Sequence, residues 1–326
     1  MSILKNIDWR EFSLNYYGLV DLRIRCASHR DAELFEGILQ NYLLPFLQVK
    51  EATGQSHYTI SLRQGIFDEV GSDWQHMTFL LDDAVSDFRF GVERHYSSSR
   101  RDIFNPLNGT LFRISGTQVE IVYVTEEALV KDVQRVIKQL LITEVENAGG
   151  AVLHASAFSL EGKAICYVGE KGQGKTTCLL ESLKIEGAKY ITNDRLPIIP
   201  IAGKFHVLGW FEELRLVQPS GGKKKKVRVL ELCEPPQIEI RPVLPRLIVL
   251  PDCLSRLEDE SDGREVIKGQ LLTPVDPQRP KWLGYSKSLG FGSNALLNPI
   301  PVKRLQWQFL ERDALLGKIQ EVVASV

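Results

Sequence analysis

The sequence predicts an α/β fold for its second half and a smaller α+β domain ahead of it, on three observations. Residues 163–186 read as an apolar strand, a glycine-rich loop and a helix, and another strand follows at 188–192. A strand–loop–helix–strand order is the building unit of α/β domains. Residues 1–147 instead show short alternating segments separated by turn residues, with one or two helices among them. Gly149-Gly150 falls where the two patterns meet, so the expected domains are 1–147 and 148–326.

In the first domain, residues 20–25 (VDLRIR) alternate as a strand does. Leu34, Ile38, Leu43 and Leu44 lie at roughly helical spacing up to Pro45. Residues 57–62, 77–81 and 110–124 read as strands, the last folding back at Ser115-Gly116 after a turn at Asn108-Gly109. A helix should follow, with Thr125 as its N-cap and Glu126 and Glu127 in a first turn that favours acids. Leu129, Val133, Val136, Ile137, Leu140 and Leu141 then share one face.

The second domain opens with a strand over 151–158, a turn at Glu161-Gly162 and a buried strand over 163–168 (KAICYV). The next helix is expected from Lys175 to about Glu186, closed by Gly187. Strands follow at 188–192 and 205–208, a hairpin at 219–222, an apolar strand at 247–250, and helical spacing over 305–323.

Bulk composition narrows the function. The chain has 326 residues, 44% hydrophobic and 25% charged, so sizeable cores are within reach. Its 40 basic and 41 acidic residues balance, which gives no ground for a nucleic-acid partner. The five cysteines are scattered and lack C-x-x-C spacing, which argues for reduced thiols in a cytoplasmic protein and against a thiolate zinc site. No run of about eighteen apolar residues suggests a membrane span.

The chemistry-bearing motif is Gly169-Glu170-Lys171-Gly172-Gln173-Gly174-Lys175-Thr176, which fits G-x-x-x-x-G-K-[ST] at every fixed position. Glycines let backbone N–H groups curl round phosphate oxygens, and the following helix aims its positive end at them. Gly169, Lys171, Gly172, Gln173, Gly174, Lys175, Thr176 and Thr177 would therefore cradle the phosphates of ATP. Lys175 would reach the β- and γ-phosphates, and Thr176 would offer its hydroxyl to Mg²⁺. Such a loop needs a carboxylate near the metal. Two residues qualify: Asp194, just past the strand at 188–192, and Asp252, after the apolar run. Either reads equally as a turn former.

From Val152 onward the residues resemble the catalytic domain of HPr kinase/phosphorylase and its relatives. The matching stretch is Leu153-His154-Ala155-Ser156-Ala157, Gly162-Lys163-Ala164, the P-loop, and Thr192-Asn193-Asp194. The resemblance implies a P-loop phosphotransferase domain of the HPr kinase C-terminal type, related to phosphoenolpyruvate carboxykinase. It implies that Lys175 and Thr176 bind phosphate and metal, that Asp194 serves the metal or the hydroxyl nucleophile, and that His154 supports the acid. Asp194 is preferred over Asp252 on this ground. The family usually carries two adjacent acids where this chain has Asn193-Asp194. An amide takes up no proton at neutral pH, so Asn193 can only position groups. The family's clamping arginine has no secure counterpart; Arg241 and Arg246 are the nearest residues.

The leading expectation is an ATP- and Mg²⁺-dependent kinase acting on a Ser/Thr hydroxyl of a peptide or small protein. A small-metabolite hydroxyl kinase and a nucleotide-binding regulatory protein with little transfer remain alternatives. The family often forms rings or dimers, which leaves a homo-oligomer open. Lys223 to Lys226 reads as a solvated hairpin tip or as a patch for an acidic peptide. Residues 285–292 (YSKSLGFG) read as a long loop or as a mobile lid.

Overall fold

A computed structural model describes residues 10–51, 56–67, 73–77, 91–97, 99–216, 225–253, 263–271, 300–308 and 312–326. They are mixed α and β and group into two compact units, one from residues 10–43 and 47–144, the other from 44–46 and 145 onward. Residues 78–81, the hairpin tip at 219–222, Lys223, Lys224 and the segment 285–292 lie outside the described residues.

The first unit is built on a nine-stranded sheet. Strands β1 (Arg10–Tyr16) and β2 (Val20–Cys26) form a hairpin over Tyr17 and Gly18, both at positive φ, the turn geometry that suits strand twist. In β2 the alternation expected from VDLRIR is realised: Val20, Leu22, Ile24 and Cys26 are buried, while Asp21, Arg23 and Arg25 face partly outward. Helix α1 (His29–Ile38) is capped by Ser28, whose Oγ accepts from the Asp31 N–H. A π-helical turn, Leu39–Leu43, ends it ahead of Pro45.

Strand β3 (Gln48–Lys50) borders β1, and β4 (Tyr58–Gln64) runs parallel to β2. Strands β5 (Gln75–Met77), β6 (Gly91–Ser97), β7 (Arg100–Asn105), β8 (Thr110–Ser115) and β9 (Gln118–Tyr123) complete the order β3-β1-β2-β4-β9-β8-β7-β6-β5. Helix α2 (Glu126–Asn147) starts as expected, with the Ala128 N–H donating to Thr125 Oγ1 at 3.2 Å. All six residues of its apolar face are buried.

The second unit has a five-stranded sheet in the order β13-β11-β12-β18-β19. Its strands are β11 (Ala155–Leu160), β12 (Lys163–Val168), β13 (Lys189–Thr192), β18 (Leu244–Asp252) and β19 (Val302–Gln306). β12 is parallel to β18, and β18 to β19, while β11 is antiparallel to both β12 and β13. The C-terminal ends of β12, β13, β18 and β19 and the start of β11 therefore share one edge of the sheet. Central β12 is buried from Ala164 to Val168, which is why its sequence is apolar on both faces.

One face of this sheet packs Ala155, Ala157, Ala164, Cys166, Ile248 and Leu250 against a three-stranded sheet of β10 (Ala151–Leu153), β14 (Leu196–Ile201) and β15 (Lys204–Val207). Helix α3 (Lys175–Ser182) lies on the other face: Ser156 Oγ donates to the Lys175 carbonyl at 3.1 Å, and Tyr167 Oη pairs with Ser182 Oγ at 2.6 Å. A two-stranded ribbon of β16 (Leu214–Leu216) and β17 (Lys225–Val227) leads into the short helix α4 (Val229–Leu232). Helices α5 (Gly263–Lys268) and α6 (Arg312–Ala324) complete the unit.

Three local expectations need correcting. The strand expected over 151–158 breaks at His154 into β10 and β11, which belong to different sheets. Helix α3 stops at Ser182, well before Glu186, because Lys184 and Ile185 switch to i−3 carbonyls and tighten the chain; Gly187, at φ +77°, follows that turn and does not close the helix. Leu305 belongs to β19; the tail helix begins at Arg312 and buries Leu315, Ile319 and Val323. Strand β14, which contains Pro197 and Pro200, has no counterpart among the expected strands.

Candidate functional site

The loop 169–174 leaves β12 at the shared sheet edge and enters α3 with Gly174 as N-cap at φ +95°. Two constraints demand glycine there. The backbone is left-handed, and a Cβ would lie 2.6 Å from Cζ2 of Trp307, which follows β19. Gln173 is buried and points into the loop, where its Oε1 accepts from the Glu170 N–H at 2.7 Å. Among the described residues, the backbone N–H groups of Gly172, Gly174, Thr176 and Thr177 have no hydrogen-bond partner. These are the orphan donors that a helix N-terminus presents to an anion.

Lys175 is only 8% exposed. Its Nζ donates to the carbonyls of Gly169 at 2.6 Å and Glu170 at 3.0 Å, so the ammonium is folded across the loop.

One hydrogen bond ties the start of α3 to the end of β13, and a second closes the turn there. Thr176 Oγ1 donates to Asn193 Oδ1 at 3.0 Å. Thr192 Oγ1 donates to the Arg195 carbonyl at 2.6 Å, closing the turn that carries Asn193 and Asp194. Asp194 sits at φ +76°, a conformation that aspartate tolerates better than most side chains. His154 occupies the corner between β10 and β11, with its N–H donating to the Gln270 carbonyl at 2.7 Å. From there its Nε2 reaches Asp194 Oδ1 at 3.1 Å.

The Asp194 side chain is 51% exposed. Partial desolvation pushes its carboxyl upward. The hydrogen bond and charge of His154, with Arg195 and Arg215 nearby, outweigh this and bring it down from 3.8 to about 2. The group is thus a carboxylate throughout the working pH range. It is also a weak base.

The other acid weighed from sequence, Asp252, ends β18 and is buried. Its strand is the parallel neighbour of β12, and the following residue, Cys253, donates its thiol to the Gly172 carbonyl at 3.3 Å. The two acids therefore flank the loop from opposite sides, which the sequence alone did not reveal. Trp307 and Arg215 also come from distant segments and carry no motif. Neither clamping arginine nearest in sequence reaches the site. Arg241 pairs with Glu239 at 3.0 Å, and Arg246 bonds the Val326 carbonyl and lies 4.0 Å from Glu161, in the β11–β12 turn at the opposite sheet end.

A magnesium ion held with a nucleotide needs few protein ligands, since phosphates and water supply the rest. The Thr176 hydroxyl, the Asn193 carbonyl oxygen and the carboxylates of Asp194 and Asp252 are hard oxygen donors of the right kind. Among the described residues no cluster of three or more His, Cys, Asp or Glu side chains forms a cage for a metal by itself. No protein-family model matches the chain, and no curated protein matches it significantly. Among the described residues no helix is long and apolar enough to cross a membrane.

Proposed function

We propose that this chain is an ATP-dependent, HPr-kinase-like phosphotransferase that transfers a phosphoryl group to a Ser/Thr hydroxyl of a peptide or small protein. The observation that carries the reading is the meeting, at one sheet edge, of the open loop amides, Lys175, the Thr176–Asn193 link and the His154–Asp194 pair. Phosphoryl transfer asks a protein mainly for positioning and for charge neutralisation.

In this reading the amides of Gly172, Gly174, Thr176 and Thr177 hold phosphate oxygens. Lys175 exchanges its carbonyl partners for them. Thr176 and the carboxylates of Asp194 and Asp252 would hold Mg²⁺, which would supply neutralisation of phosphate charge. Asp194, fixed by His154, accepts a hydrogen bond from the acceptor hydroxyl. The hydroxyl oxygen bonds to the γ-phosphorus, the bond from that phosphorus to the ADP oxygen breaks, and the hydroxyl proton passes by way of Asp194 to water. A carboxyl held near 2 aligns that hydroxyl better than it stores its proton.

One observation favours the reading of a nucleotide-binding regulator: an amide, Asn193, stands buried beside Thr176 where a second acid would serve a kinase. An acceptor screen with γ-labelled ATP separates the two. The wild type should transfer label, and both Lys175→Ala and Asp194→Asn should lose it. Nucleotide binding without transfer to any acceptor supports the regulator. Equal transfer by Asp194→Asn removes that residue from the chemistry.

A further inference from the structure

Gln173 was expected to lie among the residues that cradle phosphate, yet its side chain is 2% exposed and turned onto the loop's own backbone. Burying a carboxamide is unfavourable unless it is hydrogen-bonded. Gln173 Oε1 accepts from the Glu170 N–H at 2.7 Å, and the Gln173 backbone N–H donates to the Glu170 carbonyl at 3.3 Å. Residues 170 and 173 are therefore tied twice, with Lys171 and Gly172 in the turn between them. The backbone tie is long for an N–H···O bond, so the side chain supplies the shorter and better of the two.

Gly172 sits inside this turn at φ +95°, and its N–H has no hydrogen-bond partner among the described residues. The direction of that N–H depends on the turn staying shut. Gly169 gives an independent sign that the space is kept for the carboxamide. A Cβ there would lie 2.2 Å from Gln173 Oε1 and 3.3 Å from its Cδ, and its three nearest neighbours all belong to this one side chain. Gly169 is not at positive φ, so backbone freedom does not explain the glycine, whereas room for the carboxamide does.

We propose that Gln173 is a positioning residue for phosphate binding: its carboxamide holds the turn 170–173 shut and so aims the Gly172 N–H, without touching the nucleotide itself. The inference rests on the nucleotide-binding part of the kinase reading and adds a residue to it. A loop held in its binding shape beforehand loses less freedom when phosphate arrives, which is where the affinity is gained.

Two variants remove the brace by separate routes. Gln173→Met keeps the length of the side chain and deletes the carboxamide. Gly169→Ala leaves the glutamine in place and pushes its carboxamide out. Calorimetric titration with magnesium and ATP should find each about fivefold weaker than wild type, the scale of one neutral hydrogen bond, and the double variant no weaker than either. Amide NMR with magnesium and pyrophosphate as the probe should localise the effect. The shift that pyrophosphate induces at the Gly172 amide should shrink in both variants, while the Thr176 and Thr177 amides, fixed by α3, respond as in wild type.

ATP affinity unchanged in variants that melt at lower temperature overturns the proposal and leaves Gln173 a stabilising residue only. Tighter binding also overturns it, since the carboxamide would then be withholding the Glu170 N–H from phosphate. Losses that add in the double variant do the same, because Gly169 would then act by another route. If the wild type binds neither ATP nor pyrophosphate, the kinase reading fails by itself, and hydrogen exchange judges the brace. A Glu170 amide protected in wild type and released in both variants sustains it, and equal exchange in all three overturns it.

Discussion

His154 Nε2 and Asp194 Oδ1 lie 3.1 Å apart, although the two residues belong to different strand connections and 40 positions separate them in the chain. This contact sets the protonation behaviour of the acid. Asp194 is depressed relative to an unfolded aspartate, so the stabilisation from its partners is fully present above the ordinary 3.8 and is lost as pH falls through about 2. His154→Ala leaves partial desolvation with less to oppose it, and the carboxyl rises. A carbon-13 NMR titration of the Asp194 carboxyl should show its midpoint move upward in that variant. A midpoint unmoved by His154→Ala would remove the contact from the account.

Gly174 and Trp307 make the second relationship open to test. Alanine at 174 meets the indole at 2.6 Å and must hold a left-handed backbone. The conformational part costs about 1 kcal/mol and the collision about 1–3 kcal/mol more. Denaturant melts should place Gly174→Ala well below wild type. Adding Trp307→Phe should give a double variant more stable than the sum of the single losses, since the smaller ring yields space. Simple additivity would show that the indole does not press on the loop.

Thr176 and Asn193 connect the loop to the β13 turn by a single hydrogen bond of 3.0 Å. Thr176→Val removes it and the hydroxyl together, a stability loss of about 1 kcal/mol. If the same hydroxyl serves the ion, nucleotide affinity should also lose much of its dependence on magnesium in calorimetric titrations. Asn193→Asp should act in the opposite sense and lower the magnesium concentration needed for half-maximal nucleotide binding, because a carboxylate replaces a neutral oxygen.

The five thiols should separate sharply under mild alkylation. Burial pushes Cys26 and Cys166 up to about 12 and raises Cys178 and Cys233 as well, leaving little thiolate at neutral pH. Cys253 is partly exposed and sits behind the loop at Gly172. Mass spectrometry after limited iodoacetamide treatment should find Cys253 modified first and the other four only on unfolding. Early modification of Cys166 would mean that β12 is not the buried central strand.

The phosphate-loop motif was legible because its chemistry is contiguous: glycines, lysine and threonine stand at fixed spacing between an apolar strand and a helix. The α2 face was legible because its six apolar residues repeat with the helical period. The length of α3 was not, since the switch to shorter-range hydrogen bonds after Leu183 leaves no mark in a run such as Glu186-Gly187. The break at His154 was not legible for a related reason: a mostly apolar run such as residues 151–158 looks the same whether it serves one sheet or passes between two.

The sequence by itself determined that a glycine-rich turn joins a buried strand to a helix, with an amide and an acid one strand further on, because local spacing and backbone freedom suffice for that. Only the tertiary structure decided which distant residues face the turn. Parallel pairing of β18 with β12, and of β19 with β18, brings Asp252, Cys253 and Trp307 to its far side, and β13, laid beside β11, brings Asn193 and Asp194 to its near one. Such pairings depend on contacts between distant segments, 133 positions apart from Gly174 to Trp307, compared with a motif eight residues long. No local pattern encodes which strands will lie side by side.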